Sequence, residues 1–317
     1  MSGLVRTSGF SAVWSPSYEV DIGPHVFVTA KYRRVVEEVV GRGWMAREDF
    51  QEPKPASWDE LSLVHTPAYL NKIRRNKLSS TERWLLEVPF SEALVKASLL
   101  SCGGTVQTAR TALSRWVGVH VGGGFHHAFS DHGEGFCLLN DIALAAALLL
   151  EEGAVGRVAV VDLDVHQGNG TAAIFADEER VFTFSMHQEN NYPFPKQHSD
   201  LDVGLEDGVG DEEYLNLLRT HLERALAPRP DLILYLAGAD PYREDQLGGL
   251  ALSMEGLRQR DVIVFAAARE RGIPVAVTLA GGYARRLRDT VSIHVATVEE
   301  AMKLYIDAPS PPAPRSA

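Results

Sequence analysis

Carboxylates, histidines, glycines and one tyrosine follow apolar runs at four places in the sequence, and these residue types suit hydrolytic or metal-assisted chemistry. The four segments are GGGFHH (122–127), DLDVHQGNG (162–170), AGAD (237–240) and AGGY (280–283). In open parallel sheets, ligands bind in the crevice beyond the carboxyl ends of the strands. If each apolar run is a strand, the four segments are expected to meet in one such crevice.

The segment DLDVH has the composition of a metal site. Alternate residues of a strand share one face, so Asp162, Asp164 and His166 are expected to project together. Carboxylate and imidazole suit Zn²⁺ or Fe²⁺, and a catalytic ion needs about three protein ligands and an open position. Asp164 and His166 would supply two ligands, and Asp240, which ends another apolar run, would supply the third. The plainer alternative is that the aspartates cap the following helix and His166 is hydrogen-bonded in the core.

The histidine pair His126–His127 and the tyrosine Tyr283 are the candidate proton-transfer groups. Histidine titrates near physiological pH, so the pair could supply a general base and an electrostatic partner. Adjacent residues in an extended loop point in different directions, which disfavours binding of one ion by both. Tyr283 could polarise a carbonyl as a neutral donor. An ordinary Gly-Gly-Tyr turn and hydrogen-bonded histidines are the competing interpretations.

Five apolar runs, rich in β-branched residues, predict the buried parallel strands that would position these groups. They are residues 116–124, 157–166, 180–187, 231–240 and 273–283. Helical spacing is found at 140–153, 211–226 and 253–272, and, before the first strand, at 31–43, 65–76 and 91–113. Alternation of strand and helix predicts an α/β fold with one parallel sheet covered on both faces.

Composition and charge narrow the class of protein. With 45% hydrophobic and 23% charged residues, the 317-residue chain is unlike disordered, collagenous or coiled-coil proteins. The 31 Lys+Arg against 42 Asp+Glu give a net charge of −11, which disfavours nucleic acid and favours a cationic partner. The sequence has only two cysteines and no signal-peptide pattern, and its longest apolar run is far shorter than the roughly 20 residues of a membrane helix. These features predict a soluble, cytoplasmic protein.

The domain organisation is predicted to be simple. Neither an internal repeat nor a Gly/Ser-rich linker interrupts the sequence, so residues 1–305 are expected to form one domain. Residues 306–317 contain four prolines and are expected to form a disordered tail. Nothing in the sequence indicates an oligomeric state.

Taken together, the motifs resemble the zinc-dependent histone deacetylase family. GGGFHHA…GFC, DLDVHQGNG, the FSMH strand end, LAGADPYREDQLGGLALS and AGGY occur in the family's order, after an upstream VHTPAYL. The resemblance extends from about Ser15 to Leu304, and HQGNG with DQLGGLALS is closest to the class IV branch. It implies the three-layer arginase/deacetylase fold, with a mostly parallel sheet of about eight strands between helices.

The resemblance also implies which residues bind metal ions. Asp164, His166 and Asp240 match the zinc ligands, for which Fe²⁺ is an alternative ion. A structural potassium ion is expected behind the zinc site. The positions that match its site are Asp162, Asp164, His166, Ser185 and Met186, and a second potassium site would use backbone oxygens around Phe175, Glu178, Val181 and Ser199.

Catalytic roles follow from the same resemblance. His127 matches the general base, His126 its partner bonded to Asp162, and Tyr283 the donor to the substrate carbonyl. Asn169 departs from class I, where a carboxylate partners the base. An amide stabilises imidazolium less, so the base is expected to stay neutral more readily. The positions that match the walls of the acyl-lysine tunnel are Gly135, Phe136, Tyr192 and Leu247.

The implied function is zinc-dependent removal of acetyl or longer fatty acyl groups from the Nε of lysine in a protein or peptide. Hydrolysis of an acylated small amine, such as an acetylpolyamine or a metabolite, is the alternative. An arginase-like binuclear hydrolase would need further carboxylates, which HQGNG and GADPYRED do not offer in the expected places. A non-catalytic acyl-lysine-binding module is disfavoured because every catalytic residue type, Tyr283 included, is present.

Overall fold

A single parallel sheet forms the centre of the protein in the computed structural model, which describes residues 9–307. The strands are β1 (Ala12–Val13), β2 (Phe50–Gln51), β3 (Val117–His120), β4 (Val158–Asp162), β5 (Val181–Gln188), β6 (Leu201–Leu205), β7 (Leu232–Leu236) and β8 (Val275–Thr278). Their order across the sheet is β2-β1-β3-β8-β7-β4-β5-β6, and each neighbouring pair is parallel.

Helices connect and cover these strands. They are α1 (Lys31–Gly41), α2 (Trp58–Leu61), α3 (Pro67–Arg74), α4 (Ser80–Leu86), α5 (Glu92–Arg115), α6 (Asp141–Glu151), α7 (Asn169–Ile174), α8 (Asp211–Leu226), α9 (Met254–Arg271) and α10 (Leu287–Asp307). α5 packs on α6, whereas α10 packs on α1 and α9. The strands β4, β7 and β8 are buried along their whole length, as expected for a parallel sheet covered on both faces. The predicted three-layer α/β fold is confirmed.

The prediction that Asp162, Asp164 and His166 lie on one face of a strand was wrong. β4 ends at Asp162, so Asp164 and His166 lie in the following loop rather than on one face of a strand. The loop still brings the side chains together because its backbone bonds to the aspartates. The amide of Asp164 donates to Oδ1 of Asp162 at 3.1 Å, and the amide of His166 donates to Oδ1 of Asp164 at 3.0 Å.

The edges of the sheet were not predicted from the sequence. β1 and β2 have only two residues each, and β6 alternates buried and exposed residues at the sheet edge. α10 continues to Asp307, two residues into the predicted tail, and positions 308–317 lie outside the described residues. No helix among the described residues is long and apolar enough to cross a membrane.

Candidate active site

The four chemically distinctive segments meet at the carboxyl end of the sheet, as predicted. They follow β3, β4, β7 and β8, and these strands are consecutive in the sheet in the order β3-β8-β7-β4. The glycine-rich loop after β3 and the loops after β4, β7 and β8 therefore lie side by side at this end of the sheet.

Asp164, His166 and Asp240 form a buried cluster that could hold a metal ion. One potential ligand atom from each lies within 4.8 Å of the others. Nδ1 of His166 is 3.0 Å from Oδ1 of Asp164 and 3.6 Å from Oδ2 of Asp240. Oδ2 of Asp240 is buried and lacks a hydrogen-bond partner within the part of the chain that is described. A buried carboxylate oxygen of this kind is costly unless a cation binds it, so the donor set fits a zinc-type ion.

The remaining carboxylate oxygens of this cluster are fixed by backbone amides. Oδ1 of Asp240 accepts from the amide of Val165 at 2.9 Å, and Oδ2 of Asp164 accepts from the amide of Gly281 at 2.9 Å. A Cβ at Gly281 would lie 1.9 Å from Oδ2 of Asp240 and 2.5 Å from Oδ2 of Asp164. Only glycine lets this loop approach the ligands so closely.

His126 is paired with a carboxylate. Its Nδ1 lies 2.6 Å from Oδ2 of Asp162, and both side chains are buried. Burial alone would lower the pKa of His126, but the charge of Asp162 and the hydrogen bond outweigh it and raise the pKa to about 9. His126 is therefore suited to carry a positive charge at neutral pH.

His127 has the opposite environment. Its Nδ1 lies 2.7 Å from Oδ1 of Asn169, an uncharged group. Burial, together with the nearby His126 and His166, holds the pKa of His127 well below its ordinary value. The prediction that His127 stays neutral agrees with this environment, and a neutral imidazole can accept a proton.

The glycine-rich loop that carries the histidines is fixed by Asp141, the first residue of α6. Its carboxylate accepts from the amide of Gly124 at 3.0 Å and from that of Phe125 at 2.7 Å. Thr105 of α5 donates to the same carboxylate. The loop immediately before His126 is thus anchored to two helices.

Tyr283 lies beside the Asp164–His166–Asp240 cluster. Its ring centroid is 6.4 Å from that of His166, and its amide donates to Asp245 at 2.6 Å. Burial and the charges of Asp164 and Asp240 raise the pKa of Tyr283 well above its ordinary value, so the phenol remains a donor. The buried ammonium of Lys31 donates to Ala280 O at 2.9 Å, which holds the loop before the tyrosine.

Comparison with known proteins agrees with this geometry. A family model described as the histone deacetylase domain matches residues 25–298. A protein of Picosynechococcus described as uncharacterized is 40% identical over 299 residues, which cover 94% of this chain and 100% of that protein. Histone deacetylase 2 of Arabidopsis thaliana is 34% identical over 308 residues, covering 90% of this chain and 79% of its own length.

The chain belongs to the histone deacetylase family. As a member of this family, it is a deacetylase-type hydrolase. A solved structure of a histone deacetylase homologue from Aquifex aeolicus matches the fold with a TM-score of 0.74 at 24% identity. The match covers 95% of this chain and 89% of that chain.

Three of the four predicted tunnel positions lie beside His127 or Tyr283. The ring centroid of Tyr192 is 4.9 Å from that of His127, and Phe136 is 5.9 Å from Tyr283. A Cβ at Gly135 would lie 2.7 Å from Cδ2 of His127. Leu247 is half-buried; its carbonyl accepts from the side chain of Asn191 at 2.7 Å, and its amide donates to Oδ1 of Asp245 at 2.9 Å.

Two residues of the site were not predicted from the sequence. Phe27 stacks on Phe136 at 6.0 Å and lies 6.2 Å from Tyr283, so it extends the aromatic wall. Glu134 accepts hydrogen bonds from Asn169 and Tyr192. Neither residue lies in one of the four strand-end segments that drew attention in the sequence.

The predicted potassium-site residues are neighbours in the structure. Asp162 of β4 lies in register with Ser185 of β5, and Met186 follows on the same strand. Each residue predicted for the first potassium site is buried, whereas the second-site positions Glu178 and Ser199 are half-buried. Oγ of Ser185 lies 2.9 Å from Nδ1 of His187.

Proposed function

We propose that this protein is a zinc-dependent hydrolase that removes acetyl or longer acyl groups from the Nε of lysine, or from a related acylated amine. The observation that carries the proposal is the convergence of the Asp164–His166–Asp240 cluster, a neutral histidine and a tyrosine donor on one buried point. The similarity of HQGNG and DQLGGLALS to the class IV branch supports placing the chain near that branch.

The metal-binding part of the proposal rests on the donor set. Asp164, His166 and Asp240 would hold Zn²⁺, with Fe²⁺ as the alternative ion, and Oδ2 of Asp240, which has no hydrogen-bond partner among residues 9–307, supports this. When bound, the ion supplies a water of lowered pKa and polarises the amide carbonyl.

His127 would act on the attacking water. Asn169 accepts from its Nδ1–H, which leaves Nε2 free to take a proton as the water adds to the amide carbon. The same nitrogen then returns the proton to the leaving nitrogen, so the C–N bond breaks to give a carboxylic acid and an amine. His126, held cationic by Asp162, would stabilise negative charge that develops nearby.

Tyr283 would stabilise the carbonyl oxygen. The hydroxyl of a tyrosine that remains protonated can donate to that oxygen as it gains negative charge, and such preorganised donors contribute strongly to acyl transfer. The aliphatic stem of the substrate would pass between Tyr192 and Phe136, with Gly135 and Leu247 completing the tunnel.

A structural potassium ion belongs to the same proposal. Asp162, Asp164 and His166, with Ser185 and Met186 on the neighbouring strand, would hold it behind the catalytic ion. Such an ion would offset part of the negative charge that the buried aspartates place there.

The decisive experiment is a substrate panel on the purified protein. Acyl-lysine peptides of increasing chain length and acetylpolyamines are incubated with protein as prepared, after chelation, and after addition of Zn²⁺ or Fe²⁺. We expect hydrolysis that chelation abolishes and metal restores, with one catalytic ion per chain by elemental analysis. Folded, zinc-loaded protein that hydrolyses none of these amides would refute the proposal, and two catalytic ions per chain would favour an arginase-like hydrolase. An Asp240→Asn variant is the matched control for metal dependence.

A further inference from the structure

We propose that Glu134 is a positioning residue that, through Asn169, fixes which nitrogen of His127 carries the proton. This inference rests on the proposed function, in which His127 is the general base. It concerns a carboxylate that belongs to none of the strand-end segments and that does not touch His127 itself.

A chain of two hydrogen bonds links the three side chains. Nδ2 of Asn169 donates to Oε1 of Glu134 at 2.6 Å. Oδ1 of Asn169 lies 2.7 Å from Nδ1 of His127. Asn169 and His127 are buried, and Glu134 is half-buried. The amide is therefore held between a carboxylate and an imidazole.

The donor and acceptor capacities of these groups determine which group donates in each of the two hydrogen bonds. An ionised carboxylate only accepts hydrogen bonds, so Glu134 requires the NH₂ side of Asn169. The amide oxygen must then face His127, and because that oxygen only accepts, Nδ1 of the ring must carry the proton. In the neutral ring, Nε2 is left with the lone pair that a base requires.

Glu134 is itself held in place and kept ionised. Oε1 also accepts from the hydroxyl of Tyr192 at 2.8 Å, and Oε2 lies 3.4 Å from Nε2 of His132. Although burial opposes it, the hydrogen bonds from His132, Asn169 and Tyr192 hold the pKa of Glu134 below its ordinary value. An acceptor-only carboxylate is thus present at neutral pH.

The backbone around Glu134 is equally constrained. Its carbonyl accepts from the amide of Cys137 at 2.9 Å, which closes a tight turn. Both central residues of the turn, Gly135 and Phe136, have positive φ, and their amides donate to the carbonyls of Leu85 and Leu86. These hydrogen bonds tie the segment that carries Glu134 to the end of α4.

Without Glu134, nothing in this chain of contacts would select one orientation of the Asn169 amide. If the amide turned over, its NH₂ group would face Nδ1 of His127 and favour the tautomer with the proton on Nε2. That tautomer cannot accept a proton from water at Nε2. Glu134 therefore orients His127 through the side-chain amide of Asn169, as a carboxylate in direct contact with the histidine would do.

The first test uses Glu134→Met, which keeps the side-chain length but cannot orient the amide. In zinc-loaded protein labelled with ¹⁵N-histidine, long-range ¹H–¹⁵N spectra report the tautomer of His127, assigned by comparison with His127→Asn. We expect the Nδ1–H form in the wild type and loss of its dominance in the variant. We also expect kcat to fall about 10- to 100-fold, the range for losing a group that orients a functional histidine. Tyr192→Phe removes the other hydrogen bond to Oε1 of Glu134 and measures how much of any change in KM comes from Tyr192.

A control and a rescue separate this role from a general structural one. Glu152→Met removes an exposed carboxylate that pairs with Arg110 and should leave the tautomer and kcat unchanged. Glu134→Gln can still accept from Asn169 through Oε1 and should retain most of the activity. An unchanged His127 tautomer in folded Glu134→Met would overturn the inference. If the wild type has no amidase activity, the proposed function fails, but the tautomer spectra still decide this inference.

A double-mutant cycle covers the case in which Glu134→Met does not fold. Asn169→Asp alone places two carboxylates in contact and should lower kcat at least about tenfold, because like charges at this distance cannot both stay ionised. Adding Glu134→Gln removes the repulsion and gives the new aspartate a donor, so activity should recover. Equal effects of Asn169→Asp in both backgrounds would show no coupling between the positions and would overturn the inference.

Discussion

The guanidinium of Arg260 donates a hydrogen bond to the carbonyl oxygen of Gly238, two residues before Asp240 of the Asp164–His166–Asp240 cluster. The same nitrogen is 3.4 Å from the carbonyl oxygen of Leu163, which directly precedes Asp164. A single fully buried cation on α9 therefore ties together the two loops that carry the aspartates of the cluster. Asp261, at 2.9 Å, neutralises this charge.

Removal of this cation should destabilise the fold strongly. We expect Arg260→Met to lower the free energy of unfolding by about 3–5 kcal/mol, because it leaves the buried carboxylate of Asp261 without its cationic partner, with only the hydroxyls of Tyr235 and Thr297 to donate to it. The exposed pair Arg34–Glu37 provides the control, and Arg34→Met should cost less than about 1 kcal/mol. Urea denaturation of both variants measures the difference. Equal midpoints would show that the buried pair contributes no more than a surface one.

Loss of the Tyr283 hydroxyl should affect catalysis and not folding. We expect Tyr283→Phe to lower kcat about 100- to 1000-fold, a loss of about 3 kcal/mol of transition-state stabilisation, by analogy with removal of an oxyanion-hole donor. Tyr69→Phe is the matched control, because the hydroxyl of Tyr69 donates a hydrogen bond of 2.8 Å to the carbonyl oxygen of Leu138 and not to a residue of the cluster. The control should cost about 1 kcal/mol of stability with kcat retained. Full activity in folded Tyr283→Phe would exclude the assigned role.

Acid should destabilise the fold at His65, whose ring bonds to the segment that follows His126 and His127. The Nδ1 of this buried ring lies 2.9 Å from Phe129 O, and Nε2 accepts from the amide of Asn140, so only the neutral ring satisfies both contacts. Burial lowers the pKa of His65 to about 4, below the 6.5 of an exposed histidine. The unfolded chain therefore binds the proton first, and stability present above pH 6.5 is lost as the pH falls toward 4.

The size of this effect is measurable. A pKa difference of this magnitude corresponds to about 3 kcal/mol of unfolding free energy across that pH range. Denaturation at several pH values should show a slope in the wild type that is smaller, by up to one proton, in His65→Gln. The same slope in both proteins would exclude His65 as the source.

How far the sequence predicted the site depended on where each residue lies along the chain. Asp164, His166, Asp240 and Tyr283 follow buried strands, and parallel strands bring their carboxyl ends together whatever the details of the loops. Their convergence could therefore be predicted without knowing where β4 ends. Hydrogen bonds from backbone amides to the aspartates orient Asp164 and His166, so the prediction that strand alternation aligns them was wrong.

Residues on irregular segments could not be predicted in this way. Glu134 reaches Asn169 because two positive-φ residues turn the chain back on itself, and Phe27 reaches the site from the segment before α1. Likewise, Arg260 was one arginine among several on a predicted helix, and its contact with Gly238 depends on how α9 packs on the sheet. Hydrophobic periodicity carries no signal for such long-range polar contacts.

Gly135 should be irreplaceable because of its neighbours and not only because of its backbone. Its φ is +52°, and an added Cβ would lie 2.7 Å from Cδ2 of His127 and 3.0 Å from the ring of Tyr192. Gly43, with φ of +71° and nothing within 4 Å of a Cβ, is the matched control. Both Ala variants should lose about 1–2 kcal/mol of stability from the left-handed backbone. Only Gly135→Ala should also lose activity, about 100-fold in kcat/KM, because the added methyl group displaces His127. Steady-state kinetics measure this loss. Equal activity in the two variants would mean that His127 and Tyr192 move aside without loss of function.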